Sequence, residues 1–380
     1  MVRTLSVAAA AVMAAAAVTS AAVPSSARVA AAASGRALSL RPPTAYVAVG
    51  GKGSVVRPVN TATNRPGARI PVETDPIAIA ITPDGKTAYV ANFHAASVTP
   101  IHTATNTPGR AIPVGTNPGA IAITPDGRTA YVVNFSSGTV TPIHTATNIT
   151  GPPILVGRDP VAIAITPSGK TAYVVNSRFG SVTTINTTTN KHGTVIHIGQ
   201  HPRFIAITPD GRTAYVANDS GVTPINTGTN KAGPPIPVAA GTGPIAITPN
   251  GKTAYVVGAS SVTPISTATN TAGKPIPTGT NNPGAIAITP DGTKAYVSDF
   301  SGNTVTPINT ATNTSGTPIQ TPMEPAQIAI TPNGKTAYVI TNFIVSRKVR
   351  FALTPIATAT NKAGPPIQVG ADASAIAITP

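Results

Sequence analysis

The sequence predicts an all-β protein, a β-propeller built from four-stranded antiparallel blades. Three observations predict it. Every tyrosine lies in the tripeptide Ala-Tyr-Val, at Tyr46, Tyr89, Tyr131, Tyr173, Tyr215, Tyr255, Tyr296 and Tyr338, with successive steps of 43, 42, 42, 42, 40, 41 and 42 residues. From the second tyrosine onward, the Pro of an Ile-Thr-Pro stands six residues upstream and opens a Pro-Asp-Gly, Pro-Ser-Gly or Pro-Asn-Gly turn. The chain holds 34 Gly and 40 Pro but no Trp or Cys, which means many turns around a core of Ala, Val and Ile. A repeat of about 40–45 residues without a helical period is the size of one propeller blade.

One unit parses into strands in order. Ile77–Ile81 alternates large and small residues with the period of a strand, here strand a. Pro83-Asp84-Gly85-Lys86 is a tight turn, with Pro fixing one φ and Gly supplying a positive one. Thr87–Ala91 is strand b and Ser97–His102 strand c; Thr103-Ala104-Thr105-Asn106 is a turn and Arg110–Val114 a short strand d. The repeat starts at a strand b, Thr44-Ala45-Tyr46-Val47, and stops at a strand a, Ala375–Pro380. The N-terminal strands b, c and d thus need the C-terminal strand a, and pairing them closes a ring of eight blades without an exposed edge.

Position assigns physical roles. The Ile face of strand a is expected to pack between blades, and its Ala face lets neighbours approach near the axis. Strand d carries Pro71, Pro113, Pro153, Pro237 and Pro277, and Pro on an outer edge blocks pairing with other molecules. Strand c carries Pro58, Pro100, Pro142, Pro224, Pro264, Pro307 and Pro355. An interior strand avoids Pro, so these predict a bulge or incomplete c–d pairing.

The blocks Tyr89-Val-Ala-Asn92, Tyr131-Val-Val-Asn134, Tyr173-Val-Val-Asn176 and Tyr215-Val-Ala-Asn218, each preceded by Ile-Thr-Pro-x-Gly, resemble the Tyr-Val-Thr-Asn repeat family. Those are β-propellers of bacteria and archaea, surface-layer-type proteins among them. Gly258, Asp299 and Thr341 depart from the pattern by replacing the Asn, and the first unit reads Tyr-Val-Ala-Val. Propellers of that family often have seven blades, the alternative to eight. The resemblance implies a fold and carries no catalytic set.

Ahead of the repeat, residues 1–27 read as a signal peptide. Arg3 supplies a basic start, Leu5 to Val18 is apolar apart from Ser6, and small residues place cleavage near 22–27. The run is Ala-dominated and shorter than the ~20 strongly apolar residues of a membrane anchor. Residues 28–43 read as a low-complexity tether, and 44–380 as the propeller. The protein is therefore expected outside the cytoplasm, secreted or held at the cell surface. Without Cys it has neither a lipid-anchored cysteine nor disulfides.

The chemistry-bearing residues form no active-site pattern. Asp84, Asp126, Asp210 and Asp291 are turn residues, and His102 and His144 stand where other units have Asn60, Asn186, Asn226 and Asn309, a turn-capping position. No catalytic residue, metal or cofactor is expected. The alternative is a lactonase-like hydrolase, which would need acids and His converging on the axis.

The formal net charge is +15, and the repeat divides it between faces. The a–b turns carry Lys86, Arg128, Lys170, Arg212, Lys252, Lys294 and Lys335, and the c–d loops add seven more basic residues against the four turn aspartates, a net of +10. The opposite face, with the b–c and d–a loops, balances seven basic residues against seven acids, which are scattered over different loops. The basic face predicts docking of an anionic cell-envelope polymer; nucleic acid is disfavoured because no aromatic residues accompany the charge to stack bases. On the mixed face, Phe93, Phe135, Phe300 and Phe343 follow strand b, with Phe179 nearby. They either plug gaps between blades or ring the channel mouth as binding contacts. The last unit has a longer, irregular b–c loop, Asn342–Ala352, with Arg347, Lys348 and Arg350 as further binding candidates, here for a protein or polymer partner. The chain is expected to be a monomer.

Overall fold

The computed structural model describes residues 42–380, apart from 52, 239–240, 280–282 and 346–347. The expected signal peptide at 1–27 and the tether at 28–43, save for its last two residues, lie outside the described residues.

The described residues form eight antiparallel sheets and no helix. The second unit shows the plan: strand a is Pro76–Ile81, strand b Thr87–Asn92 and strand c Ser97–His102. These match the expected bounds to within a residue. Strand d differs. It is broken into Thr107–Pro108 and Ile112–Pro113, each piece pairing with one end of strand c.

The prolines of strand c explain the break. Tyr89 stands opposite Pro100 in the b–c ladder, and the Pro100 carbonyl accepts from Gly109 N at 2.7 Å on the strand d side. In an antiparallel ladder one residue's N–H and C=O point the same way, so the N–H that proline lacks would have faced strand d. The b–c ladder stays whole and the c–d ladder parts at its middle, as incomplete c–d pairing requires. The fourth unit is an internal control: Thr184 takes the place of the Pro, and its strand d runs unbroken over Lys191–His197, with only a register shift in the ladder beside Thr184. One detail of the outer edge is corrected. Pro153 lies just ahead of the strand d piece Ile154–Leu155, so Leu155 fills the position held by Pro113 in the preceding unit.

Strands a are innermost and touch their neighbours in a closed cycle around the molecule. The cycle closes through Ala373–Ile378, which pairs antiparallel with Thr44–Val49 and packs against Pro76–Ile81. The blades number eight, not seven. Eight apolar clusters lie between them. In one, Ala78, Tyr89, Ala91 and Val98 of the second blade meet Ile121, Ala130, Val132 and Ile143 of the third. Thus the Ile face of each strand a fills the space left by the Ala face of the blade before it.

The tyrosines staple these interfaces. All eight are fully buried. Tyr89 Oη donates to Asn148 Oδ1 at 2.7 Å and to Thr145 O at 3.2 Å, both in the c–d turn of the next blade. Tyr338 does the same to Asn64 and Thr61, which ties the last blade to the first. Burial pushes the hydroxyls of Tyr89, Tyr131, Tyr173, Tyr215, Tyr255, Tyr296 and Tyr338 up to about 12.

Candidate binding faces

The a–b turns and c–d turns share one face of the disc. Thr103 N donates to Lys86 O at 3.0 Å, and the same bond links Thr145 to Arg128 and Thr187 to Lys170. Each a–b turn is fixed from within. In the third unit Thr124 Oγ1 donates to Asp126 Oδ1 at 2.6 Å, and Arg128 N donates to the same oxygen at 3.0 Å. Those bonds, with the Arg128 charge, hold the Asp126 carboxyl below the usual range despite partial burial, and Asp210 is lowered in the same way. Asn250 and Asn333 repeat this geometry without the charge.

Lys86, Arg128, Lys170, Arg212, Lys252 and Lys335 therefore project from one equivalent turn position, and the side chains of Lys86, Arg128 and Arg212 are 81–86% exposed. Three of the six are partnered by their own turn, Lys86 with Asp84 at 3.3 Å, Arg128 with Asp126 at 3.8 Å and Arg212 with Asp210 at 3.9 Å. Turns with Ser168, Asn250 or Asn333 give Lys170, Lys252 and Lys335 no such acid. Lys294 is displaced from this ring. It opens strand b, its Nζ donates to Thr358 O at 2.6 Å in the next blade, and Thr293 holds the turn position.

The opposite face is more ordered than its sequence indicates. One equivalent position in the d–a loop, at or a few residues ahead of the start of strand a, adopts a left-handed backbone in every unit where it is described: Asp75, Asn117, Asp159, His201, Gly241, Glu324 and Asp372, with φ between 44° and 79°. Four of the seven acids assigned to this face thus occupy one equivalent position around the axis, rather than being scattered. Their side chains reach the neighbouring b–c loops. Asp75 Oδ2 meets His94 Nδ1 at 2.9 Å, Asp159 meets Arg178 at 3.8 Å, His201 Nδ1 meets Asp219 Oδ2 at 2.7 Å, and Asn117 Oδ1 accepts from Ser136 Oγ at 2.7 Å. Glu324 accepts from Asn342 Nδ2. The missed signal was the position itself, eight residues upstream of the Pro of each Ile-Thr-Pro. Among the described residues no three His, Asp or Glu side chains are placed to hold a metal ion.

The aromatic candidates sit on this face in separate blades and do not converge. Phe93 is half-buried, edge-on to His94 with ring centroids 5.1 Å apart. Phe135 is half-buried against the apolar cluster that includes Val161 of the next blade. Phe300 and Phe343 are half-buried, whereas Phe179 is 56% exposed under the Arg158 guanidinium, 5.9 Å away. An open depression of about 390 Å³ lies beside Phe179, between the third and fourth blades, with Leu155, His192 and Val195 in its wall.

The expected irregular loop of the last unit is instead a β-ribbon. Strands Thr336–Val345 and Lys348–Ala357 pair continuously from Thr336↔Ala357 to Val345↔Lys348. Its residues, Thr341, Phe343, Ile344, Val345, Val349 and Phe351, are β-branched or aromatic, which favours extended pairing over a loop. Phe343 stands opposite Arg350, which is exposed; Arg347 and the side chain of Lys348 lie outside the described residues.

No family model matches the chain, and no curated protein does. Solved structures do. Hydrazine synthase of Kuenenia stuttgartiensis is 24% identical, over 76% of this chain and 97% of that one, with a TM-score of 0.61. The dihydro-haem d1 dehydrogenase NirN is 15% identical over 88% and 74%, with a TM-score of 0.73. AztD of Citrobacter koseri is 12% identical over 88% and 97%, with a TM-score of 0.68. This likeness is one of fold. The class it defines with the geometry above is the eight-bladed β-propeller.

Proposed function

We propose that this protein is an extracytoplasmic, non-catalytic propeller of the Tyr-Val-Thr-Asn repeat type that docks an anionic cell-envelope polymer on its a–b face. The observation that carries the proposal is the ring of exposed Lys and Arg at one equivalent turn position, on turns whose own hydrogen bonds hold them rigid. A polymer with regularly spaced phosphates would meet charge at regular intervals, and a rigid ring binds without first having to be ordered. The signal-like residues 1–27 support the location, and among the described residues no helix is long and apolar enough to cross a membrane.

The test is binding of polyglycerol phosphate across a salt series. Affinity should fall steeply with salt, since exposed charges are screened beyond about 10 Å at 0.1 M. Changing Lys86, Arg128, Lys170 and Arg212 to Gln should weaken binding while the melting temperature stays close to that of the parent. Binding indifferent to both would remove this reading.

A second reading, hydrolysis on the opposite face, is favoured by the His94–Asp75 pair at 2.9 Å, since a carboxylate-oriented imidazole is the arrangement of a general base. Lactone turnover by the parent that His94→Gln abolishes would establish it.

A further inference from the structure

In every blade but the fourth, the outer edge of the propeller is broken into short strand d pieces. The strand d pieces of the second blade, Thr107–Pro108 and Ile112–Pro113, are two residues each, separated by a gap and marked by Pro. The fourth blade has lost every one of these devices. Its strand d, Lys191–His197, is a continuous seven-residue strand without Pro, and six of its seven residues are exposed; its ladder with strand c shifts register once, between Thr183 and Ile185, and is regular over Val195–His197. His197 stands opposite Ser181 as Pro113 stands opposite Ser97, so it occupies the position where that unit places its guarding proline.

The backbone there is free to pair. Ile198 N donates inward to Gly180 O at 2.9 Å. By the alternation of an antiparallel ladder, the main-chain groups of Val195 and His197 point away from strand c. An exposed row of such groups is a template for another strand. Beside it, Leu155 is 72% exposed, Phe179 56% and Val195 47%, and they share the wall of the 390 Å³ depression. Leu155 itself replaces a guarding proline on the neighbouring blade.

Charge decides the occupant. Lys191, His192 and His197 lie on the strand, and Arg158 and Arg178 line the adjoining surface, where Asp159 is tied to Arg178. A second copy of this edge would set Lys191 against His197 and gain nothing electrostatically. We propose that the outer edge of the fourth blade docks an extended acidic segment of a partner protein, which adds as a further β-strand with an apolar side chain seated between Leu155, Phe179 and Val195. Main-chain bonds would supply affinity, and the basic rim and apolar depression would supply selectivity.

The experiment uses the whole protein and two short capped probes, one of alternating Glu and Val, one of alternating Lys and Val. The parent should bind the Glu-Val peptide, and the Lys-Val peptide should bind at least about tenfold more weakly. His197→Pro restores the proline of the repeat, so it should fold as the parent does and lose Glu-Val binding. Val195→Glu leaves the backbone edge intact and should lose it by repulsion, which keeps the test available if the proline variant misfolds. The four-fold Gln variant of the a–b face should bind the peptide normally, which separates this site from the polymer-binding reading. Equal binding of the two peptides, or undiminished binding by both edge variants, would overturn the proposal. So would a parent that sediments as a dimer while His197→Pro sediments as a monomer, because the edge would then hold a second copy.

Discussion

The asparagine that closes each c–d turn does two jobs at once. Asn190 adopts φ 54°, a left-handed conformation that Asn tolerates better than most residues, and its Oδ1 accepts from Tyr131 Oη of the blade before at 2.6 Å. Replacing Asn190 with Gly keeps the backbone and removes the acceptor, so a loss of about 1–2 kcal/mol is expected from the buried hydroxyl left less well satisfied. Asn190→Ala should lose more, because it adds left-handed strain. Denaturant melts of the two variants separate the terms. The tyrosines also set an alkaline limit. Each hydroxyl is neutral in the fold, and its folded value is raised from 10.0 to about 12 by burial. The stabilisation is therefore complete below about pH 10 and is lost as pH rises toward 12. Because seven tyrosines share this shift, unfolding should be steep within that window, and a pH titration followed by tyrosine absorbance should show ionisation and unfolding together. The regularity of Tyr and of Asn was legible in the sequence, but their partnership was not. The bond joins residues 59 apart in different blades, and no local period announces it.

Strands and turns were the most legible level, because their signals are local: alternation for strands a and b, and Pro-x-Gly for the a–b turn. The segments that escaped were those in which tertiary pairing decides. The ribbon of the last blade reads as a long loop until its partner strand is supplied, and the polar ring on the same face is hidden because its residues differ from blade to blade while their backbone does not. The ribbon's base is bound to the ring through the Met323–Asn342 bridge and the pairing of Phe351 with Gly370. Its outer part carries Ile344 and Val349, opposite one another and 60% and 53% exposed. Replacing Ile344–Arg350 with a Gly-Ser turn should therefore leave the melting temperature nearly unchanged, since shortening a surface connection alters closure entropy by only about 0.6 kcal/mol per halving. A large drop in calorimetry would show that the ribbon's end supports the ring. If stability holds and the variant loses a wall or protein partner, the ribbon is a binding element in its own right.

At the scale of the molecule, stability rests on a cycle, and the first blade is where the cycle is joined. Three of its strands come from the N-terminal side and the fourth is Ala373–Ile378. That strand buries Ala375 against the second blade and Ile376 against the last, so it belongs to two of the eight inter-blade clusters. Deleting Ala375–Pro380 would open both clusters and expose strand b as an edge. A buried Ile side chain alone contributes roughly 1.5–3 kcal/mol, and the whole fold has about 5–15 kcal/mol in hand, so the truncated protein should melt much lower or aggregate. A loss of stability alone does not distinguish ring closure from ordinary core damage, and a rearranged chain does. In the second unit Pro83 is joined to Thr87 by Asp84-Gly85-Lys86, whereas Pro380 and Thr44 occupy the corresponding places with no link between them. Moving Ala373–Pro380 to the front of Thr44 through an Asp-Gly-Lys turn makes the first blade continuous while every strand keeps its neighbours. That permutant should recover the parent's melting temperature in calorimetry. A permutant as unstable as the truncated chain would mean that the C-terminal strand acts through something other than closing the ring.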